Sequence, residues 1–198
     1  MTSPVQDDYH QNIFQKLPIK KYDNANHPLA KIWRTAILGM KFLKSNEYQK
    51  ASMELFNLME KKLRNSLPTA RIEHIGASSV PGAISKGDLD IFVGLDNDRL
   101  EKGIQAISEL GFEIKQNTLR TSELCMMESK TQDNLSVQVV ANGSKFEFFL
   151  HFRDILKNHP TVLSEYNRLK EKCEDYGEDE YREIKSNFIE KILKEYGF

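Results

Sequence analysis

Two aspartates separated by a single leucine, Asp88 and Asp90, open the run Asp-Leu-Asp-Ile-Phe-Val in this chain of 198 residues. In an extended segment side chains alternate, so the two carboxylates share a face and lie close enough to hold one hard cation. Like charges at that spacing resist both joint ionisation and burial, and a cation removes both costs. Mg²⁺ or Mn²⁺ is therefore the expected metal, with Asp88 and Asp90 as its ligands, and Mg²⁺ held this way recruits substrate phosphates. The competing description is an ordinary strand in which Asp88 caps a turn and Asp90 is half-buried.

Upstream, Gly76-Ala77-Ser78-Ser79 offers backbone N–H groups and two hydroxyls with little bulk, a composition suited to cradling phosphate. Gly76, Ser78 and Ser79 are the expected phosphate contacts, and Lys86 adds a point charge beside them. His74, just ahead of this turn, has two open readings: a contact to phosphate or a proton carrier, and a strand-end histidine bonded to the loop. Arg153 and Lys185 could place positive charge over a triphosphate, and each is equally compatible with an ion pair on a helical face.

These residues need a scaffold, and the apolar pattern supplies one. Met53, Phe56, Met59 and Leu63 recur at helical spacing between Asn46 and Leu67, and Pro68 ends that helix. Ala70 to Ile75 and Asp88 to Val93 read as strands flanking a turn with Pro81, Gly82 and Gly87. Asp98 and Glu101 have the spacing of a capping box, followed by the stripe Leu100, Ile104, Ile107, Leu110 and a stop at Gly111. Phe112 to Lys115, Ser122 to Met127 and Leu135 to Ala141 are further strands. Then come a short helix from Phe152 to Asn158, one after Pro160 with the stripe Val162, Tyr166, Leu169, Cys173, and a last one carrying Tyr181, Ile184, Phe188 and Ile192. The acidic run 174–180 reads as a solvated connection. The expectation is an α/β fold: a small mixed sheet with helices on one side and a helical C-terminal segment closing a cleft.

Residues 1–45 form an N-terminal extension with an apolar patch of Ile32, Trp33, Ile37, Leu38, Met40 and Phe42, expected to dock on the main domain at 46–198. With 28 Lys and Arg against 29 Asp and Glu, net charge −1, the chain as a whole lacks the basic footprint of a duplex-DNA binder. Absence of a leader-like start or of about 18 consecutive apolar residues leads to the expectation of a cytoplasmic protein without membrane contact. Cys125 and Cys173 are expected to be reduced, structural thiols.

The segment His-Ile-Gly-Ala-Ser-Ser-Val-Pro-Gly (74–82), followed by Lys86 and Asp90, resembles the GrpB family within the nucleotidyltransferase superfamily of polymerase-β-like fold. Phe152-Arg153-Asp154-Ile155-Leu156, His159-Pro160, Glu165-Tyr166, Tyr181, Lys185 and Phe188-Ile189 are similar to the family's C-terminal half, so the resemblance covers about residues 46–195. It implies metal-dependent transfer of a nucleotidyl group from a nucleoside triphosphate to an unknown acceptor. Some relatives are joined to a coenzyme A biosynthetic kinase, which points to a small-molecule acceptor by analogy. Three departures stand out. Ala77 occupies a position where the superfamily prefers Gly or Ser, Lys86-Gly87-Asp88 replaces a Lys-Pro-Ile pattern, and Gln138 stands on the strand where a third carboxylate is usual. Gln is a poor base, and the next carboxylate, Glu147, reads as a solvent-facing structural residue. The alternatives are a non-catalytic nucleotide-binding protein of the same fold and a regulatory interaction module.

Overall fold

The structure, a computed structural model, describes residues 41–198. Helix α1 (Ser45–Ser66) leads into strand β1 (Arg71–Ile75), a 3-10 turn (Ala77–Ser79) and strand β2 (Leu89–Leu95). A second 3-10 turn (Asn97–Arg99) starts helix α2 (Leu100–Glu109), followed by β3 (Phe112–Ile114), β4 (Leu124–Ser129) and β5 (Leu135–Ala141). The chain ends in α3 (Phe148–Asn158), α4 (Pro160–Lys172) and α5 (Glu178–Glu195). The sheet order is β1-β2-β5-β4-β3, with β2 and β5 parallel and the other pairs antiparallel. This is the expected mixed α/β architecture.

The two sheet faces are covered differently. On one, Leu89, Ile91, Val93, Val137 and Val139 pack beneath Phe56, Met59 and Leu63 of α1 and Leu100, Ile104 and Ile107 of α2. On the other, Ile75, Phe92, Leu124 and Val140 pack against Phe146, in the 3-10 turn (Lys145–Glu147) ahead of α3, and Leu150 in its first turn. That second apolar patch covers only part of its face. The remainder, at the N-terminal end of β2 and β5, is a polar cleft with Asp90, Ser136 and Gln138 on its floor.

Several local expectations are corrected. Met53 is 46% exposed, because the buried stripe of α1 runs Tyr48, Ser52, Phe56, Met59, Leu63 and leaves position 53 one residue out of phase. Asp98 and Glu101 form no capping box: the chain enters α2 through the 3-10 turn, with Arg99 at the N-cap and no side-chain cap. Helix α3 begins at Phe148, four residues before the expected start, because Phe146 and Leu150 anchor its entry on the sheet. Strand β4 begins and ends two residues later than expected. In α4 the fully buried side chain after Tyr166 is Lys170, while Leu169 is only partly buried. The acidic run 174–180 is split, its last three residues forming the first turn of α5, where carboxylates favour the positive end of the helix dipole.

The patch from Ile32 to Met40 lies outside the described residues. Phe42, at its edge, packs against Tyr181 with ring centroids 5.4 Å apart, and Leu43 exchanges backbone hydrogen bonds with Ser85. Among the described residues, no helix is long and apolar enough to cross a membrane.

Candidate metal and phosphate site

Register places the cleft residues. Asp90 pairs with Ile75 of β1 and Ser136 of β5, and Gln138 pairs with Phe92 and with Met126 of β4. Asp90, Ser136, Gln138, Met126 and Glu128 thus share one face. Asp88 lies two residues before Asp90, just ahead of β2.

Burial drives the Asp90 carboxyl above its ordinary value, and the Asp88 charge pushes it further. Lys185, a hydrogen bond from Gln138 and Lys115 act in the opposite direction without cancelling the shift. Without a bound ligand, Asp90 is a carboxylate under electrostatic pressure to take up a positive charge. Its carboxylate packs directly against the turn because position 76 is glycine. Gly76 sits at φ +72°, and a Cβ there would lie 2.7 Å from Asp90 Oδ2. The left-handed backbone and the close approach both require glycine.

The serines of the 3-10 turn point inward. Ser78 Oγ lies 2.9 Å from His74 Nε2, and Ser79 Oγ donates to the Gly76 carbonyl at 2.7 Å. Both hydroxyls brace the turn, as does the Ser79 N–H, which bonds the Gly76 carbonyl at 3.2 Å, so the expected phosphate contacts of the Ser78 and Ser79 hydroxyls are spent within the fold. His74 alternates to the face opposite Asp90, stacked on Phe56 at 4.9 Å, and burial lowers its pKa to about 4. Of its two readings, the geometry matches the strand-end histidine bonded to the loop.

The expected cations separate. Burial lowers the Lys185 ammonium, opposed by the nearby charge of Asp90, so Lys185 belongs to the aspartate cluster. Lys86 lies 3.6 Å from Glu178 and 5.7 Å from the centre of the Tyr181 ring, at the cleft edge. Arg153 is nine-tenths buried and bonded to Glu73, Asp154 and the His74 carbonyl, so it joins α3 to β1 and its donors are engaged away from the cleft. Glu147 accepts from the Gly143 N–H and pairs loosely with Arg71. His151 stacks on Phe198 and His159 lies tilted against Tyr196, both as structural residues. Cys125 and Cys173 are buried free thiols.

Sequence reasoning missed what holds the turn at 80–85. Tyr48 Oη donates to the Ala83 carbonyl at 2.8 Å, and Gln49 donates to that of Val80. From α4, Asn167 accepts from the Ile84 N–H at 3.0 Å and donates to the Gly82 carbonyl at 2.9 Å. Lys170 Nζ donates to the Ile84 carbonyl at 2.5 Å and sits 3.9 Å from the Tyr166 ring centre. With 1% exposure and no carboxylate partner among the described residues, its pKa falls to about 7 through burial and the Lys185 charge. The one available signal was spacing: Val162, Tyr166 and Lys170 are four apart on one helical face.

Fold and site together define a mixed α/β domain with a carboxylate pair against a glycine turn at the end of its central strands. The chain belongs to the GrpB protein family, whose pattern matches residues 44–195. A UPF0157 protein of Vibrio cholerae is 49% identical over 155 residues, spanning 78% of this chain and 82% of that protein. A UPF0157 protein of Deinococcus radiodurans is 30% identical over 137 residues, 67% and 71% of the two chains. The crystal structure of conserved protein GrpB from Enterococcus faecalis superposes with a TM-score of 0.63 at 21% identity, covering 79% of this chain and 99% of that one.

Proposed function

We propose that this protein is a metal-dependent nucleotidyltransferase acting from a nucleoside triphosphate on an acceptor other than duplex DNA. The observation that carries the reading is the Asp88–Asp90 pair, with the Asp90 carboxyl raised in pKa by burial and packed against a glycine whose missing Cβ makes room for it. Hard carboxylate oxygens on one face suit Mg²⁺ or Mn²⁺, and the divalent ion would supply charge to phosphate oxygens. Asp88 and Asp90 would hold it. The backbone of Gly76 and Ser78 would seat the β and γ phosphates, with Ser79 bracing the turn through the Gly76 carbonyl and His74 from behind, and Lys185 and Lys86 would balance their charge. Arg153 would act through the strand it fixes.

The test is calorimetry of Mg²⁺ with a non-hydrolysable triphosphate, joined to pyrophosphate release. Asp90→Asn should weaken metal-dependent nucleotide binding at least tenfold and abolish release; equal affinity in the variant would sink the assignment. A non-catalytic nucleotide binder is the second reading, favoured by the neutral Gln138 beside Asp90. Nucleotide binding without pyrophosphate release across a broad acceptor pool would select it.

A further inference from the structure

We propose that the acceptor is an oxyanion, a phosphomonoester or a carboxylate, that arrives ionised and attacks without surrendering a proton to the protein. This rests on the nucleotidyl-transfer reading. The glycine turn lies on the β1 side of Asp90. The opposite side of the same face presents Ser136, Gln138, Met126 and Glu128, then Lys115, whose N–H bonds the Met126 carbonyl at 2.9 Å. A hydroxyl entering here would need a base. Asp88 and Asp90 are the cation's ligands in this reading, and Ser136 and Gln138 carry no basic group.

Glu128 stands two strands from Asp90, about 10 Å at ordinary strand spacing. Its carboxylate lies 3.2 Å from Lys115 Nζ. His74 is on the other face, bonded to Ser78. Lys170 is sealed against Ile84 and Tyr166. Glu73, on the same face, is engaged by Arg71 and Arg153. None of these groups is placed to take a hydroxyl proton, whereas an ammonium group borders the face: Lys115 follows β3 beside Met126, with Glu128 as its carboxylate partner.

An oxyanion meets both conditions. Its oxygen lone pair forms the new bond to the α-phosphorus, the bond from that phosphorus to the bridging oxygen breaks, and its electron pair departs with pyrophosphate. No proton leaves the acceptor. The product is a mixed anhydride, a phosphoanhydride from a phosphomonoester or an acyl phosphate from a carboxylate.

The experiment has two stages on the full chain. Calorimetry first establishes binding of Mg²⁺ with a non-hydrolysable triphosphate, then titrates that complex with orthophosphate and with acetate. At least one should bind, about tenfold more weakly in Lys115→Met. Transfer from α-labelled triphosphates is then compared across phosphomonoesters, carboxylates and alcohols. Wild type should label one oxyanion class, which identifies the source, and label alcohols at least about 100-fold less. Gln138→Asp, by adding a base, should raise alcohol transfer about 10²–10⁴-fold and lower oxyanion transfer.

Alcohol labelling equal to oxyanion labelling in wild type overturns the proposal, as does alcohol transfer that disappears in Glu128→Gln. So does an intact Mg²⁺–triphosphate complex that binds neither anion. Failure of the first titration overturns the underlying transferase reading, and this proposal with it.

Discussion

Strands β2 and β5 present two faces of opposite character from the same fourteen residues. Toward α1 and α2 they show Ile91, Val93, Val137 and Val139, all fully buried. On the opposite face the alternate positions are Asp90, Ser136 and Gln138 at the cleft and Phe92 and Val140 beneath Phe146 and Leu150. A slip of one residue would exchange the faces and push a carboxylate beneath two helices. The site therefore inherits its position from the core: the packed face fixes the register, and register aims the polar side chains.

The largest effect should come from putting a carboxylate on the wrong face. Val139→Asp buries an unpaired charge and should cost more than about 4 kcal/mol, seen as loss of a cooperative thermal transition. A loss below about 1 kcal/mol would remove the contrast between the faces.

Lys170 offers a sharper, pH-resolved test. Its folded pKa of about 7 lies below its unfolded value of 10.5, so the unfolded chain binds the extra proton between those limits. Its contribution to stability is fully present above pH 10.5 and is lost as pH falls toward 7. Relative to Lys170→Met, wild type should gain a few kcal/mol of unfolding free energy between pH 7 and pH 10.5. Parallel denaturation curves for the two proteins would break the assignment.

His74 works in the same sense at lower pH. With a folded pKa of about 4 against 6.5, its stabilisation is present above pH 6.5 and lost as pH drops through 4. Relative to His74→Gln, wild type should lose about 3 kcal/mol over that window, measured by urea melts. The smallest effect belongs to the cleft face. Gln138→Asp should cost on the order of 2 kcal/mol in EDTA and recover on addition of Mg²⁺ or Mn²⁺. A melting temperature indifferent to metal would argue against a cation at Asp88 and Asp90.

Much of this was legible because periodicity and small-residue turns are local signals. Leu89 to Val93 read as a strand and is one, although Asp88, expected to open it, stands just ahead of its first residue, and the run Leu135–Ala141 gave a strand that ends where expected. Lys170 was not legible, since its burial depends on a carbonyl 86 residues away. Nor were the inward hydroxyls of Ser78 and Ser79, whose partners are set by the turn geometry around Gly76. Arg153 reads as a phosphate clamp by type, but its partners on β1 could be known only from three-dimensional packing.

The clasp on the turn at 80–85 also has a timing. The bonds from Ile84 to Asn167 and Lys170 span 83 and 86 residues, so they close long after the local helices and hairpin contacts can form. During synthesis β5 is complete while the residues of α4 that grip Ile84 are still to be added. In pulse-labelled hydrogen exchange during refolding, the Ile84 amide should gain protection after those of Ile91 and Val137; simultaneous protection would refute this order. A growing or truncated chain thus carries both aspartates before the loop between them and the glycine turn is anchored, and that loop is fixed only when the C-terminal helices have docked.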